Sequence, residues 1–175
     1  MGIHCMLDLE TMGNGNEAAI TAIGAVKFDL FDRMAEVKKF YVTVDLESSM
    51  ACGMKMDAST VKWWLTQSDA ARQQMLKDPI DLPTALDAFA TWLGAIDGMW
   101  GNGATFDNVI LRSAYRVTNL KAPWGFRADK CFRTMNQMFR LEPLPREGTH
   151  HNAVDDADNQ RIHLQRIIEH YKIAA

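Results

Sequence analysis

The sequence predicts an α/β fold in which helices pack on a central mixed sheet. Three segments with strand patterning lie between Ile3 and Asp45. Segments with helical spacing then alternate with a short apolar stretch that is bounded by glycines, and a long helical segment runs from about Asn152 to Tyr171. Three strands, then alternating helices and strands, then a final helix are typical of a sheet with helices packed against it.

The first strand is predicted to begin at Ile3, because apolar residues alternate with other residues over "IHCMLDLE". Successive side chains of a strand point to opposite faces, so Asp8 and Glu10 should share one face and leave the other face apolar. The turn-forming letters "GNGN" follow at 13–16. The segments "AAITAIGAVKFDLF" and "EVKKFYVTVD" then predict two more strands, joined by a turn near Asp32. The chain should therefore begin as a three-stranded meander.

The predicted helices follow the meander. "DASTVKWWLTQSDAARQQMLKD" predicts a helix capped by Ser59 or Thr60, and apolar residues recur at helical spacing after Pro83. "DGMWGNGATFDNVILRSAYRV" predicts a short strand that ends in glycines and then a helix capped near Thr105. Another helix is expected around "CFRTMNQMF", and a linker-like stretch at 142–149 leads into the last helix.

Length and composition predict a single domain over 1–175. No segment approaches the roughly 18 apolar residues that a membrane span needs, and no secretory leader is evident at the start, so we expect a cytoplasmic protein with no membrane partner. Three widely spaced cysteines without a Cys-x-x-Cys motif suggest neither a disulfide framework nor a zinc site.

Charge is distributed unevenly along the chain. The first fifty residues carry eight acidic and four basic side chains, whereas residues 101–150 carry eight basic and four acidic ones. This asymmetry is compatible with a basic face that steers a polyanion towards an acidic pocket. Ordinary solvated helix faces would explain the same charges equally well.

Several acidic or titratable residues fall at the ends of predicted elements. They form the candidate site set Asp8, Glu10, Asp107, His151 and Asp156. Converging carboxylates suit two-metal hydrolysis of a phosphodiester, because two Mg²⁺ or Mn²⁺ ions about 4 Å apart need hard, negatively charged oxygen ligands. A nearby histidine, with an ordinary pKa of about 6.5, can take the proton from the attacking water.

Each of these features also has an ordinary structural explanation. Asp8 and Glu10 could lie on a solvent-facing strand edge, and Asp107 could interact with a helix dipole. Asn152 and Asp155 could cap the last helix, and His150 could lie in a surface loop. The combination in this order is far more specific than any one of its parts.

Three motifs, "LDLETMG", "GNGATFDNVIL" and "HHNAVDDA", resemble those of the DEDDh group of 3′-to-5′ exonucleases. The group includes the proofreading subunit of bacterial DNA polymerase III, RNase T and oligoribonuclease. "AITAIGAVKF" is similar to the second strand of that family, with Gly24 in the usual place. The resemblance implies an RNase H-like fold with a five-stranded mixed sheet flanked by helices.

The resemblance further implies a role for each candidate residue. Asp8, Glu10, Asp107 and Asp156 would bind two divalent metal ions, Mg²⁺ or Mn²⁺, and His151 would be the general base. His151 and Asp156 fit the family spacing and the alanine that follows the histidine, whereas His150 and Asp155 fit only the spacing and remain the alternative register. By the same resemblance, the backbone around Thr11 and Met12 would contact the terminal nucleotide, with Met12 wedged against its base.

A smaller subgroup of stand-alone enzymes is similar to this chain around "MDASTVKWWLTQSDAAR". That subgroup is described as 3′-to-5′ exoribonucleases and, in prophages, as exodeoxyribonuclease VIII. The resemblance implies release of nucleoside 5′-monophosphates from single-stranded RNA or DNA 3′ ends or short 3′ overhangs, with RNA slightly favoured, and a homodimer is plausible. Either Trp63 or Trp64 could stack on a base, and at least one should be in the core. Two alternatives are an inactive nucleic-acid-binding module on the same fold and a metal-dependent nucleotidase for small substrates.

Overall fold

A computed structural model describes residues 2–103, 105–149 and 151–173. The strands are β1 Ile3–Thr11, β2 Ile20–Asp29, β3 Lys38–Thr43, β4 Gly98–Gly101 and β5 Asp129–Cys131. The helices are α1 Leu46–Ala51, α2 Ala58–Leu65, α3 Asp69–Met75, α4 Leu82–Leu93, α5 Asp107–Val117, α6 Phe132–Met138 and α7 Ala153–His170. In the described residues, no helix is both long and apolar enough to cross a membrane.

The strands form one mixed sheet in the order β3-β2-β1-β4-β5. β1 pairs antiparallel with β2, which pairs antiparallel with β3, so the predicted meander is confirmed. β4 and β5 add in parallel beyond β1. The predicted α/β fold with a five-stranded mixed sheet is therefore confirmed, and β1 lies at its centre.

Both faces of the central strand are covered by helices, which corrects the expectation of a single apolar face. Leu7 belongs to the core that includes Phe89 of α4 and Ile110 of α5. Met6, on the opposite face, packs in a second core with Leu164 of α7. Asp8 and Glu10 share the face of Met6, so their side chains point towards the helix that closes the chain.

A glycine in β2 lets the start of α7 approach the sheet beside Asp8. Gly24 is the antiparallel partner of Asp8, and a Cβ added at Gly24 would lie 2.2 Å from the Ala153 carbonyl carbon and 2.3 Å from the Val154 nitrogen. Asn152 caps α7 by accepting hydrogen bonds from the amides of Val154 and Asp155, as the sequence suggested. This close contact places the first turn of α7 over the acidic end of β1.

The helical prediction over 57–78 is wrong in two respects. The segment forms two helices, because Ser68 begins α3 by accepting a hydrogen bond from the amide of Ala71. Asp57, not Ser59 or Thr60, is the cap residue of α2.

The start of α5 agrees with the prediction, whereas two short elements differ from it. Phe106 is the cap residue of α5, which begins at Asp107, so the cap lies next to Thr105 as the sequence predicted. Neither α1 nor β5 was expected from the sequence. Both are short, and local periodicity carries little information over three to six residues.

The Gly24 contact yields a stability prediction. Gly24→Ala should lower the free energy of unfolding by about 1 to 3 kcal/mol, the usual cost of overpacking, because the added methyl must push the start of α7 away. Chemical denaturation measures the change. Gly15→Ala is the matched control, since a Cβ there meets nothing within 4 Å. Equal losses in both variants would contradict the proposed tight contact.

Candidate active site

Side chains from the end of β1 and the start of α7 converge at one point. Glu10, His151 and Asp156 each place a ligand atom within 4.8 Å of the other two. Asp8, two residues before Glu10 on the same strand face, borders the same cavity of about 410 Å³. A metal ion could be held by such a set of nitrogen and carboxylate donors.

Asp107 lies beneath this cluster and connects β1 to the β4–α5 loop. Its Oδ1 accepts a hydrogen bond from the Leu9 amide at 3.1 Å, and its Oδ2 accepts one from the Asn102 amide at 2.8 Å. Burial raises the pKa of Asp107 to about 6, although these two amides and the Arg133 charge oppose the shift. These two hydrogen bonds hold the Asp107 carboxylate between β1 and the β4–α5 loop, and each oxygen keeps a lone pair for a further partner.

Burial and mutual repulsion make the acids of β1 difficult to ionise. Burial raises the pKa of Glu10 to about 8, and the charges of Asp156 and Asp107 add to the effect. The pKa of Asp8 is also well above its usual range, because of burial first and then the charges of Asp107, Glu10 and Asp156. The cluster therefore favours binding of protons or other positive charge.

Two residues of this site were missed by sequence reasoning. Gln160 lies one helical turn after Asp156 and donates a hydrogen bond from Nε2 to Asp8 Oδ1 at 2.8 Å. Arg146, in the loop before α7, forms a salt bridge with Asp156. The helical spacing of Gln160 from Asp156 was a usable indication, whereas nothing local to Arg146 indicated its partner.

The two adjacent tryptophans of α2 have different environments. Trp64 is 3% exposed, and its Nε1 donates a hydrogen bond to the Thr11 carbonyl at 2.9 Å. Trp63 is 43% exposed and lines the cavity. Its ring lies edge-on to the His151 ring, with centroids 4.9 Å apart. The expectation that at least one tryptophan is in the core is confirmed, and Trp63 is the one available for stacking.

Thr11 and Met12 lie beside the acids, but their backbone groups are used within the protein. The Met12 amide donates to Ala19, and the Met12 carbonyl accepts from Asp57. The Met12 side chain packs against Trp64, in the cluster that α2 and α3 form. The contact of Thr11 and Met12 with a terminal nucleotide stays a prediction.

His150, the histidine of the alternative register, lies outside the described residues. Asp155, its partner in that register, accepts a hydrogen bond from the Thr149 amide at 2.8 Å and so holds the loop before α7. Asp156, by contrast, lies in the cluster with Glu10 and His151.

A five-stranded mixed sheet of this order, with helices on both faces, agrees with the RNase H-like fold that the sequence predicted. A family model described as the 3′-5′ exoribonuclease Rv2179c-like domain matches residues 3–168. The chain belongs to this family of 3′-to-5′ exonucleases, so the predicted family resemblance is confirmed.

Two individual proteins are similar to this chain. The exodeoxyribonuclease of Enterobacteria phage T4 is 28% identical over 122 residues, which are 61% of this chain and 52% of that protein. The chain thus spans about half the length of this relative. The crystal structure of cell-death related nuclease 4 (CRN-4) matches with a TM-score of 0.54 at 15% identity, over 97% of this chain and 64% of that one. At this identity the similarity to CRN-4 shows the fold alone, and it supports the RNase H-like fold.

The raised pKa of Glu10 predicts how stability depends on pH in the absence of metal. Between pH 4.5 and about pH 8, the folded protein retains a proton on Glu10 that the unfolded chain has lost. The free energy of unfolding should therefore fall as the pH rises through this range. Each unit of pKa difference is worth about 1.4 kcal/mol. Urea denaturation in EDTA at several pH values measures the fall.

The matched variants for this experiment are Glu10→Gln and Glu36→Gln. Glu10→Gln should reduce the fall in stability, since glutamine does not ionise, while Asp8 and Asp107 still contribute. Glu36 lies on the surface with its side chain 78% exposed, so Glu36→Gln should leave the pH profile unchanged. Identical profiles for wild type and Glu10→Gln would show that Glu10 is not the group responsible.

Proposed function

We propose that this chain is a divalent-metal-dependent 3′-to-5′ exoribonuclease that removes nucleoside 5′-monophosphates from single-stranded RNA ends and short 3′ overhangs. The observation that carries the proposal is the convergence of Glu10, His151 and Asp156 beside Asp8 at the end of β1. The family description favours RNA. The T4 relative is named for DNA, but it aligns with a smaller part of the chain.

The residues of the cluster fit two divalent cations, Mg²⁺ or Mn²⁺. Asp8, Glu10, Asp107 and Asp156 would hold them, and Asp107 would also fix the neighbouring backbone through its hydrogen bonds to the Leu9 and Asn102 amides. The raised pKa values of Asp8 and Glu10 indicate a site with too little positive charge of its own. When bound, such cations would polarise the scissile phosphate and stabilise the attacking and leaving oxygens.

His151 would act as the general base. It lies immediately before the cap of α7, with a positive φ of 62°, and its ring borders the same cavity as Asp8 and Asp156. The edge-on contact between the Trp63 ring and the His151 ring limits the orientations that the imidazole can adopt. From this position the imidazole can accept the proton of a water that attacks the terminal phosphodiester.

Trp63 would provide a surface for a base of the single strand. Its exposed ring lines the cavity next to Thr60 and His151. Stacking of a base on an aromatic side chain tolerates any sequence, because every base offers a π face. Such a sequence-independent stacking contact suits an enzyme that trims 3′ ends of any sequence.

The proposed activity predicts the outcome of a time course on 5′-labelled oligonucleotides. Single-stranded RNA should shorten stepwise from its 3′ end in Mg²⁺ or Mn²⁺ and release nucleoside 5′-monophosphates, with matched DNA degraded more slowly. Degradation of DNA and RNA at equal rates would contradict the proposed preference for RNA. Hydrolysis of mononucleotides with the oligonucleotide intact would instead indicate a nucleotidase.

Two variants locate the activity in the proposed site. Asp8→Asn and His151→Ala should each lower kcat by about 100-fold to 10,000-fold. Asp8→Asn should also raise the free energy of unfolding in EDTA, because it removes one of several repelling buried charges. Wild-type rates in both variants would show that the site is assigned wrongly.

The two tryptophans should respond differently to truncation. Trp63→Ala should raise KM for single-stranded RNA, since a lost stacking contact costs about 1 to 3 kcal/mol, and Trp63→Phe should retain most of the affinity. Trp64→Ala should instead lower the free energy of unfolding by about 3 to 5 kcal/mol, as for a buried aromatic residue. Steady-state kinetics and denaturation separate the two effects. A KM unaffected by Trp63→Ala would argue against a stacking role.

A further inference from the structure

The loop between α6 and α7 brings a basic side chain to the acid cluster. The Arg146 guanidinium forms a salt bridge with Asp156. The acid cluster consists of Asp8, Glu10, Asp107 and Asp156. Among the lysines and arginines of the described residues, Arg146 alone forms a salt bridge with one of these four acids. The Asp156 side chain is 13% exposed, whereas that of Arg146 is 48% exposed. Arg146 therefore reaches the cluster from its solvent side.

The backbone beside Arg146 is anchored to α7, although the side chain is not enclosed. The Glu147 amide donates to Asn159 Oδ1 at 3.1 Å, and Asn159 Nδ2 donates back to the Glu147 carbonyl at 2.8 Å. Two residues further on, the Thr149 amide is held by Asp155. The Arg146 backbone thus stays near the cluster, while its long, half-exposed side chain can change partner.

We propose that Arg146 is a phosphate-binding residue of the active site, which neutralises Asp156 only until a divalent cation binds that carboxylate. This role rests on the proposed function. It adds a substrate contact that lies outside the three exonuclease motifs, since Arg146 precedes "HHNAVDDA" in the chain.

The electrostatics of the cluster explain the exchange of partners. Without metal, the guanidinium offsets part of the repulsion that the neighbouring carboxylates impose on Asp156. A divalent cation at the same carboxylate removes the attraction and repels the guanidinium. The released guanidinium would stay near Asp156, which lines the cavity proposed to receive an RNA end. Its planar fork of donors matches the oxygens of a phosphate.

A purely structural arginine would behave in the opposite way. If Arg146 merely held Asp156 in position, its removal would weaken metal binding. If Arg146 competes with the metal for Asp156, its removal should strengthen metal binding. The sign of the change in metal affinity therefore separates the two roles.

Calorimetric titration of the EDTA-treated full chain with Mn²⁺ tests the competition. Arg146→Ala should bind Mn²⁺ about 1.4-fold to fivefold more tightly than wild type, the range expected for loss of one partly exposed ion pair. Arg146→Lys, which retains the charge, should stay near wild type. Arg33→Ala is the matched control, because Arg33 also pairs with an acid of α7, Glu169, and is 45% exposed. Equal or weaker Mn²⁺ binding by Arg146→Ala would overturn the inference.

RNA binding tests the second half of the proposal. In a His151→Ala background with Mn²⁺, adding Arg146→Ala should weaken binding of a single-stranded RNA about fivefold or more. It should also lower the slope of log K against log salt by about 0.7, the value for one phosphate contact on a single strand. Arg146→Lys should keep the salt slope but bind less tightly, because an ammonium lacks the fork geometry. An unchanged affinity and slope in Arg146→Ala would overturn the phosphate contact.

Failure of this inference can be distinguished from failure of the proposed function. A wild-type protein that trims RNA, with Mn²⁺ affinity unaltered by Arg146→Ala, would overturn only the role of Arg146. A wild-type protein that binds no Mn²⁺ and degrades no RNA would overturn the proposed function itself.

Discussion

Repulsion between carboxylates at one end of the central strand is the constraint on which the rest of the site depends. Asp8 and Glu10 point to the same face of β1, and the start of α7 brings Asp156 to them. Several separate contacts within the protein offset this repulsion. Gln160 donates to Asp8, two backbone amides donate to Asp107, and Arg146 pairs with Asp156. These contacts hold the carboxylates in place without neutralising them all, which leaves the cluster ready to bind cations.

The same constraint explains why α7 must lie so close to the sheet. Carboxylates from a strand and a helix converge only if the two backbones approach each other, and the antiparallel partner of Asp8 is the glycine that permits the approach. The contact is made by the first turn of the helix, where Asn152 supplies the cap and Asp156 follows one turn later. Helix capping, the glycine of β2 and the placement of a site residue are therefore parts of one local arrangement.

Patterns within a segment could be predicted from the sequence, and contacts between segments could not. The alternation in β1 and the helical spacing of α4 and α7 were sufficient to place those elements, and the order of acids along the chain identified the candidate cluster. The three-residue strand β5 has no usable periodicity, and the break before α3 depends on one serine cap. Arg146 belongs to the site only through its salt bridge with Asp156, which lies ten residues further along the chain and in another element. Such contacts follow from tertiary packing, about which a local pattern carries no information.

The basic segment 101–150 acquires a more specific meaning from its ion pairs. Arg112 pairs with Asp129 and Arg116 with Glu17, so these charges support the packing of α5 and add little to a general basic face. Arg133 lies close enough to oppose the rise that burial causes in the pKa of Asp107, and Arg146 pairs with Asp156. Positive charge from this segment is thus divided between structural pairs and the acid cluster. Under the proposed function, a nucleic-acid end would meet a few arginine side chains beside the acid cluster, which suits recognition of one terminal phosphodiester more than attraction of a long polyanion.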